Sequence, residues 1–163
     1  MKRTLALLLA VVLAFSSLAC LTVFGSAEAA APSQEIVYKN ISLKTNVHLL
    51  FAISAEGYEN LDGLKLVVTK GDVTSEYEAA GYTTIHDQRC IVFRYNGLSA
   101  AEMETVVSVH VDYNGVAGEA VEASVKGFAD DYKAANGKYT ALVDAMLKYG
   151  ASAKAVADAQ AAK

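Results

Sequence analysis

The segment from Thr105 to Val125 constrains the fold more than any other. Val107, Val109 and Val111 alternate with Ser108, His110 and Asp112, the two-residue period of a strand with one buried face. Asn114-Gly115 follows, a pair that tolerates positive φ at both positions of a tight hairpin turn. The partner strand runs from Val116 to Val125, with Val121, Ala123 and Val125 on one face. A chain with this hairpin near its C-terminal third is committed to antiparallel sheet.

The preceding residues repeat the theme. Asn40 to Lys44 alternates Ile41 and Leu43 with polar neighbours, and Val47 to Ile53 is a near-continuous apolar run, the mark of a buried strand. Leu64 to Thr69 is rich in β-branched residues, and Lys70-Gly71-Asp72 turns it into Val73 to Ala79. Tyr82 to His86 and Arg89 to Tyr95 are two further strands. Leu98 to Met103 is a compact bridge to the hairpin already described.

After Lys126 the period changes. Gly127 to Ala135 reads as one or two helical turns, and Lys138 to Gln160 as a longer helix. On the longer helix Tyr139, Leu142, Val143, Met146, Gly150, Ala153 and Ala157 fall on one face. The spacing predicts that Tyr139, Leu142, Val143 and Met146 pack against a sheet and that Gly150 allows close approach to it. Asp144 with Lys148, and Lys154 with Asp158, are i,i+4 pairs on the outside. Strands followed by helices predict a mainly β (α+β) chain: an antiparallel, immunoglobulin-like β-sandwich of seven or eight strands with a C-terminal helical element. The sandwich spans residues 36–126 and the packed helices 127–163.

The first residues carry a different message. Met1-Lys2-Arg3 is positive, an apolar run follows from Leu5, and Ala27-Glu28-Ala29 offers small residues at a cleavage site. That order predicts a secretory signal over residues 1–29, cut after Ala29, then a short linker over 30–35. An uncleaved anchor and a lipoprotein acylated at Cys20 are the rival readings. A secreted or extracellular location follows, with membrane contact only in passing through the signal peptide.

Of 14 basic and 18 acidic residues, Lys2, Arg3 and Glu28 fall in the leader, leaving 12 against 17. A mildly acidic domain suits solubility and is a poor match for nucleic acid. With Cys20 removed, Cys90 is the last cysteine, so no internal disulfide forms and packing alone must hold the fold. Cys90 sits in an apolar run and reads as a buried small hydrophobe rather than a reactive thiol.

Catalytic patterns are missing from the sequence: no GxSxG elbow, no HExxH and no phosphate-cradling glycine loop. His48 lies inside an apolar strand and reads as a satisfied core histidine. His110 and Asp112 share a polar strand face, where the plain reading is a solvated surface. Glu76 with Glu78, and Asp62 with Asp72 at neighbouring turns, are acidic pairs that match no EF-hand loop. No catalytic residue, metal site or cofactor is expected, and the chain reads as a non-enzyme whose ligand-binding residues the sequence does not identify. A small hydrolase with a cryptic carboxylate pair is the least favoured alternative. The nine tyrosines and absent tryptophan raise another alternative: Tyr58, Tyr77, Tyr82, Tyr95 and Tyr113 as an exposed platform for sugar rings.

Four stretches carry a resemblance: Ala100 to Val106, Tyr113-Asn114-Gly115, Ser124 to Tyr132, and Leu142 to Ala153. Together they resemble an uncharacterised C-terminal β-sandwich-plus-helix module of secreted and surface proteins from clostridia-like anaerobic bacteria. The likeness covers most of residues 36 to 157 and is most specific at the C-terminal helix. It implies an all-β domain with trailing helices, and it carries over no catalytic residues to this chain. The resulting expectation is an exported non-catalytic module for surface adhesion, assembly or ligand binding. Its partner would be a cell-wall or polysaccharide ligand or another surface protein.

Overall fold

In the computed structural model, the described residues are 31–43, 47–135 and 137–163. The expected signal peptide, its cleavage after Ala29 and the Cys20 alternative lie outside them. Strand β1 is Ile36–Leu43, β2 Val47–Ser54, β3 Leu64–Lys70, β4 Val73–Glu78 and β5 Gly81–Ile85. Then follow β6 Gln88–Tyr95, a 3-10 turn at Ala100–Glu102, β7 Val107–Tyr113, β8 Val116–Ala117 and β9 Val121–Ala123. Helices α1 (Val125–Ala134) and α2 (Thr140–Ala161) close the chain.

The strands form two antiparallel sheets. One has the order β1-β2-β6-β5; the other has the order β4-β3-β7-β8, with β9 also pairing β7. This is the sandwich-like α+β arrangement that the alternation predicts. Alternate residues from both sheets meet between the layers, as side chains on opposite faces of a pleat require. Phe51, Ile53, Leu64, Leu66, Ile91, Phe93, Val107, Val109 and Val111 are all fully buried there. Burying a side chain of this size stabilises by roughly 1.5–3 kcal/mol, so these residues dominate the stability.

Tight turns set the registers. Asn114 and Gly115 both take positive φ, at 53° and 83°, as the hairpin signal predicts. His86 and Asp87 do the same at 48° and 63° without a glycine. His86 is therefore a turn residue and not the end of the β5 strand.

The partner strand expected over Val116 to Val125 is broken in two. Ala117 pairs Asp112 and Val121 pairs Val109, so four steps on one strand face three on the other. One extra residue must be accommodated, and the ladder bulges at Gly118 to Ala120. Gly118 also packs against Gln34, where an added Cβ would sit 2.6 Å from the Gln34 Cβ. The linker residue Gln34 is thus laid along the sandwich. Val125 belongs to α1 and not to a strand: Ser124 accepts a hydrogen bond from the Gly127 N–H at 2.9 Å and starts the helix there.

The long helix departs most from expectation. Val143 and Gly150 are buried on α2, Met146 is half-buried, and Tyr139 and Leu142 are each 57% exposed. The helix lies against the 3-10 turn and α1 instead of a sheet. At Gly150 an added Cβ would meet the Met103 sulfur at 2.6 Å and the Ala100 carbonyl oxygen at 3.2 Å. The close approach that glycine permits is to the 3-10 turn. Asp144 bridges Lys133 of α1 at 2.7 Å rather than Lys148, whereas Lys154 and Asp158 pair at 2.8 Å as expected.

Candidate functional site

A groove of about 500 Å³ opens where the two helices pass the edge of the four-stranded sheet. The volume falls within the range of small-ligand pockets. Its sheet wall is Lys39, Asn40 and Ile41 of β1. Phe128, Asp131 and Tyr132 of α1 form the floor, and Tyr139, Leu142 and Val143 at the start of α2 form the far wall. A smaller hollow of about 170 Å³ continues on the other side of Phe128, towards Glu122 and Ser124.

Local sequence builds these walls. Val125 and Ala129 are buried on the inner side of α1, which turns Phe128 and Tyr132 towards the groove at helical spacing. The Lys39 ammonium stands 6.0 Å from the centre of the Phe128 ring. The Tyr132 hydroxyl accepts the Tyr139 backbone N–H at 3.1 Å, and the Thr140 hydroxyl donates to the Gly137 carbonyl at 2.7 Å. These contacts fix the start of α2 without burying Tyr139 or Leu142. Two large apolar side chains are left at the rim.

A charged clasp holds the seat of α2. Lys70 of β3 donates to the Gly97 carbonyl and to Glu102, both at 3.0 Å. The second Glu102 oxygen accepts the Ser99 N–H at 3.0 Å and the Ser99 hydroxyl at 2.8 Å. The Ser99 bonds, seconded by Lys70, lower the Glu102 carboxyl from 4.5 to about 2.

The five candidate tyrosines do not share one exposed surface. Tyr58 packs edge-on to Tyr113 with ring centres 5.1 Å apart, and Tyr77 edge-on to Tyr95 at 5.3 Å. Tyr58 and Tyr95 are buried. Burial pushes both hydroxyls above their ordinary pKa, and the Tyr58 hydroxyl finds no partner among the described residues. Tyr82 alone of the five is exposed, with the Arg89 guanidinium 4.0 Å from its ring centre. Tyr38, which the sequence did not single out, lines a hollow of about 340 Å³ with Leu50, Val92 and Arg94 on the outer face of the same sheet.

Other sequence candidates stay apart. His48 is half-buried and its Nδ1 has no hydrogen-bond partner among the described residues, so it is not the satisfied core histidine expected. His86 packs edge-on to Tyr38. Asp112 faces Lys65 across the strands and accepts the Gly115 N–H at 2.8 Å, so its carboxylate is spent on the hairpin turn. Glu76 bridges Lys65 at 2.6 Å. No three His, Cys, Asp or Glu side chains among the described residues gather as a metal would require. Cys90 is buried, as its apolar setting predicts. Among the described residues no helix is long and apolar enough to cross a membrane.

The groove itself escaped the sequence reading. Its signal in the sequence is Phe128 and Tyr132 at helical spacing on one helix and Tyr139 and Leu142 on the next, and which of these stay unburied depends on how the two helices pack. Compared with known protein families, curated proteins and solved structures, the chain has no match.

Proposed function

We propose that this chain is an exported, non-catalytic binding module that acts by contact in cell-surface adhesion or assembly. The groove between β1, α1 and the start of α2 is its binding surface. The observation that carries this reading is the pair Tyr139 and Leu142. Each is more than half exposed beside a 500 Å³ groove. Exposed apolar side chains gathered at a groove mark interaction sites more often than isolated ones do. The leader sequence and the likeness to secreted surface modules support the export half of the reading.

The test expresses the full chain and collects the product. A mature N-terminus at Ala30 supports export; retention of residues 1–29 in the collected protein overturns the cleaved-signal reading. The collected protein is then offered to cell walls, wall polysaccharides and surface-protein extracts. Tyr139→Ala and Leu142→Asp should abolish capture while leaving the melting temperature unchanged. Capture that ignores both substitutions would move the binding surface elsewhere.

A carbohydrate-binding reading would use the hollow formed by Tyr38, Leu50, Val92 and Arg94. An aromatic ring beside a guanidinium suits a sugar with an acidic or hydroxyl-rich edge. Glycan binding lost in Tyr38→Ala but kept in Leu142→Asp would favour it.

A further inference from the structure

The groove lies beside an open strand edge, and the two together specify one kind of occupant. Among the described residues β1 pairs with β2 alone, so its other side is unpaired. In an antiparallel ladder, residues alternate between exchanging both hydrogen bonds with the partner and turning both groups away. The Ile41 N–H donates to the Asn40 side-chain oxygen at 2.7 Å. This places the Ile41–Leu49 pair in the second class. Lys39, two residues earlier and opposite Phe51, shares it. The N–H and C=O groups of Lys39 and Ile41 therefore face the groove side of β1, and Asn40 occupies one of them with a neutral, local substitute.

Two of the other edges are guarded, and the β5 edge, GYTTI, is uncharged but only five residues long. β4 carries Thr74, Glu76 and Glu78 along its length, and β8 is two residues long. Charge and shortness are the usual defences of a sheet edge. β1 is eight residues, IVYKNISL, with Lys39 as its one charge. Its neighbour is an apolar groove instead of solvent.

We infer that the β1 edge and its groove bind an extended peptide segment, which adds as a strand to the four-stranded sheet. The partner backbone meets Lys39 and Ile41 and displaces the Asn40 side chain. Its alternate side chains are apolar and drop between Phe128, Tyr132 and Leu142, because successive residues of a strand point to opposite faces. A small sugar would leave the backbone groups unmatched. A second copy of this chain would bring its own α1 and α2 to the same edge, whereas a single extended segment needs only a strand's width. This inference rests on the groove being the contact surface, and it names the chemistry of the partner.

The experiment displays a library of short random peptides to the full-chain product, with Leu142→Asp as the counter-selection. Leu142 is exposed, so that variant keeps the fold. Enriched peptides should alternate apolar and polar residues and lack proline. Methylating alternate backbone nitrogens of an enriched peptide should weaken binding at least about tenfold with its side chains unchanged. Equal binding of the methylated peptide would overturn strand addition. So would the absence of any enrichment over the variant, or a dimer in sedimentation that Leu142→Asp dissolves. If polysaccharide or wall capture persists through the groove while no peptide is enriched, the contact function stands and strand addition falls. If neither occurs, both fall.

Discussion

The two helices at the C-terminal end are close in sequence and opposite in role. α1 begins at a serine cap and buries Val125 and Ala129 beside the sandwich. α2 is more than twice as long, has no side-chain cap, and buries only Val143 and Gly150. The shorter helix is part of the core's wall. The longer one is held at a few points and keeps its apolar groups at the surface. Eight of its 22 residues are alanine, the strongest helix former, which supports the helix where little of it is buried. The difference teaches that an apolar face at helical spacing is not proof of burial.

The contrast between the firmly packed part and the lightly held part is open to experiment. Phe93→Ala should have the largest effect, about 3–5 kcal/mol in denaturant unfolding, because Phe93 is fully buried between the sheets. A loss below about 1 kcal/mol would mean that the sandwich does not carry the stability. Gly150→Val comes next, at about 1–3 kcal/mol, since the new side chain must push aside Met103 and the Ala100 carbonyl. Hydrogen exchange should show α2 losing protection while β2, β6 and β7 keep theirs. Uniform loss through both parts would erase the distinction.

The smallest effect concerns the seat of α2. Glu102 ionises at about 2 in the folded chain against 4.5 ordinarily. A carboxyl lowered in this way stabilises fully above its unfolded value and loses that contribution as pH falls through the folded one. Stability from the clasp is therefore complete above pH 4.5 and fades towards pH 2. Glu102→Gln should cost about 1 kcal/mol at neutral pH, solvent screening having reduced the ion pair. Its unfolding free energy should also fall less steeply than the parent's across that acid window. Parallel pH curves for the two proteins would show that the clasp contributes nothing.

Much of the fold was legible because sheet patterns are local. Val107, Val109 and Val111 announce their strand by alternation, and Asn114-Gly115 announces its turn. His86-Asp87 is a weaker signal, since His and Asp are enriched at positive φ but are common elsewhere too. The break at Gly118 was hidden because it comes from a one-residue mismatch in register and from Gln34, which is distant in sequence. The groove was hidden for a similar reason. Its residues come from β1, α1 and α2, and only the packing of those elements shows that Leu142 and Tyr139 stop short of burial. The tyrosines misled in the opposite direction, because strand position says nothing of whether two rings will turn edge-on to each other.

The seat at Gly150 gives α2 the mechanics of a lever. Gly150 is the fulcrum, pressed on Met103, and the arm towards the N-terminus carries Leu142 across the groove. At the rise of an α-helix that arm is about 12 Å long, so a tilt of about 5° at the fulcrum moves Leu142 by about 1 Å. The Tyr132 hydroxyl and the Lys133–Asp144 bridge act as the stays that hold the arm in place. The width of the groove is thereby set by the contacts that seat and stay α2, and the sandwich beneath need not deform for the opening to change.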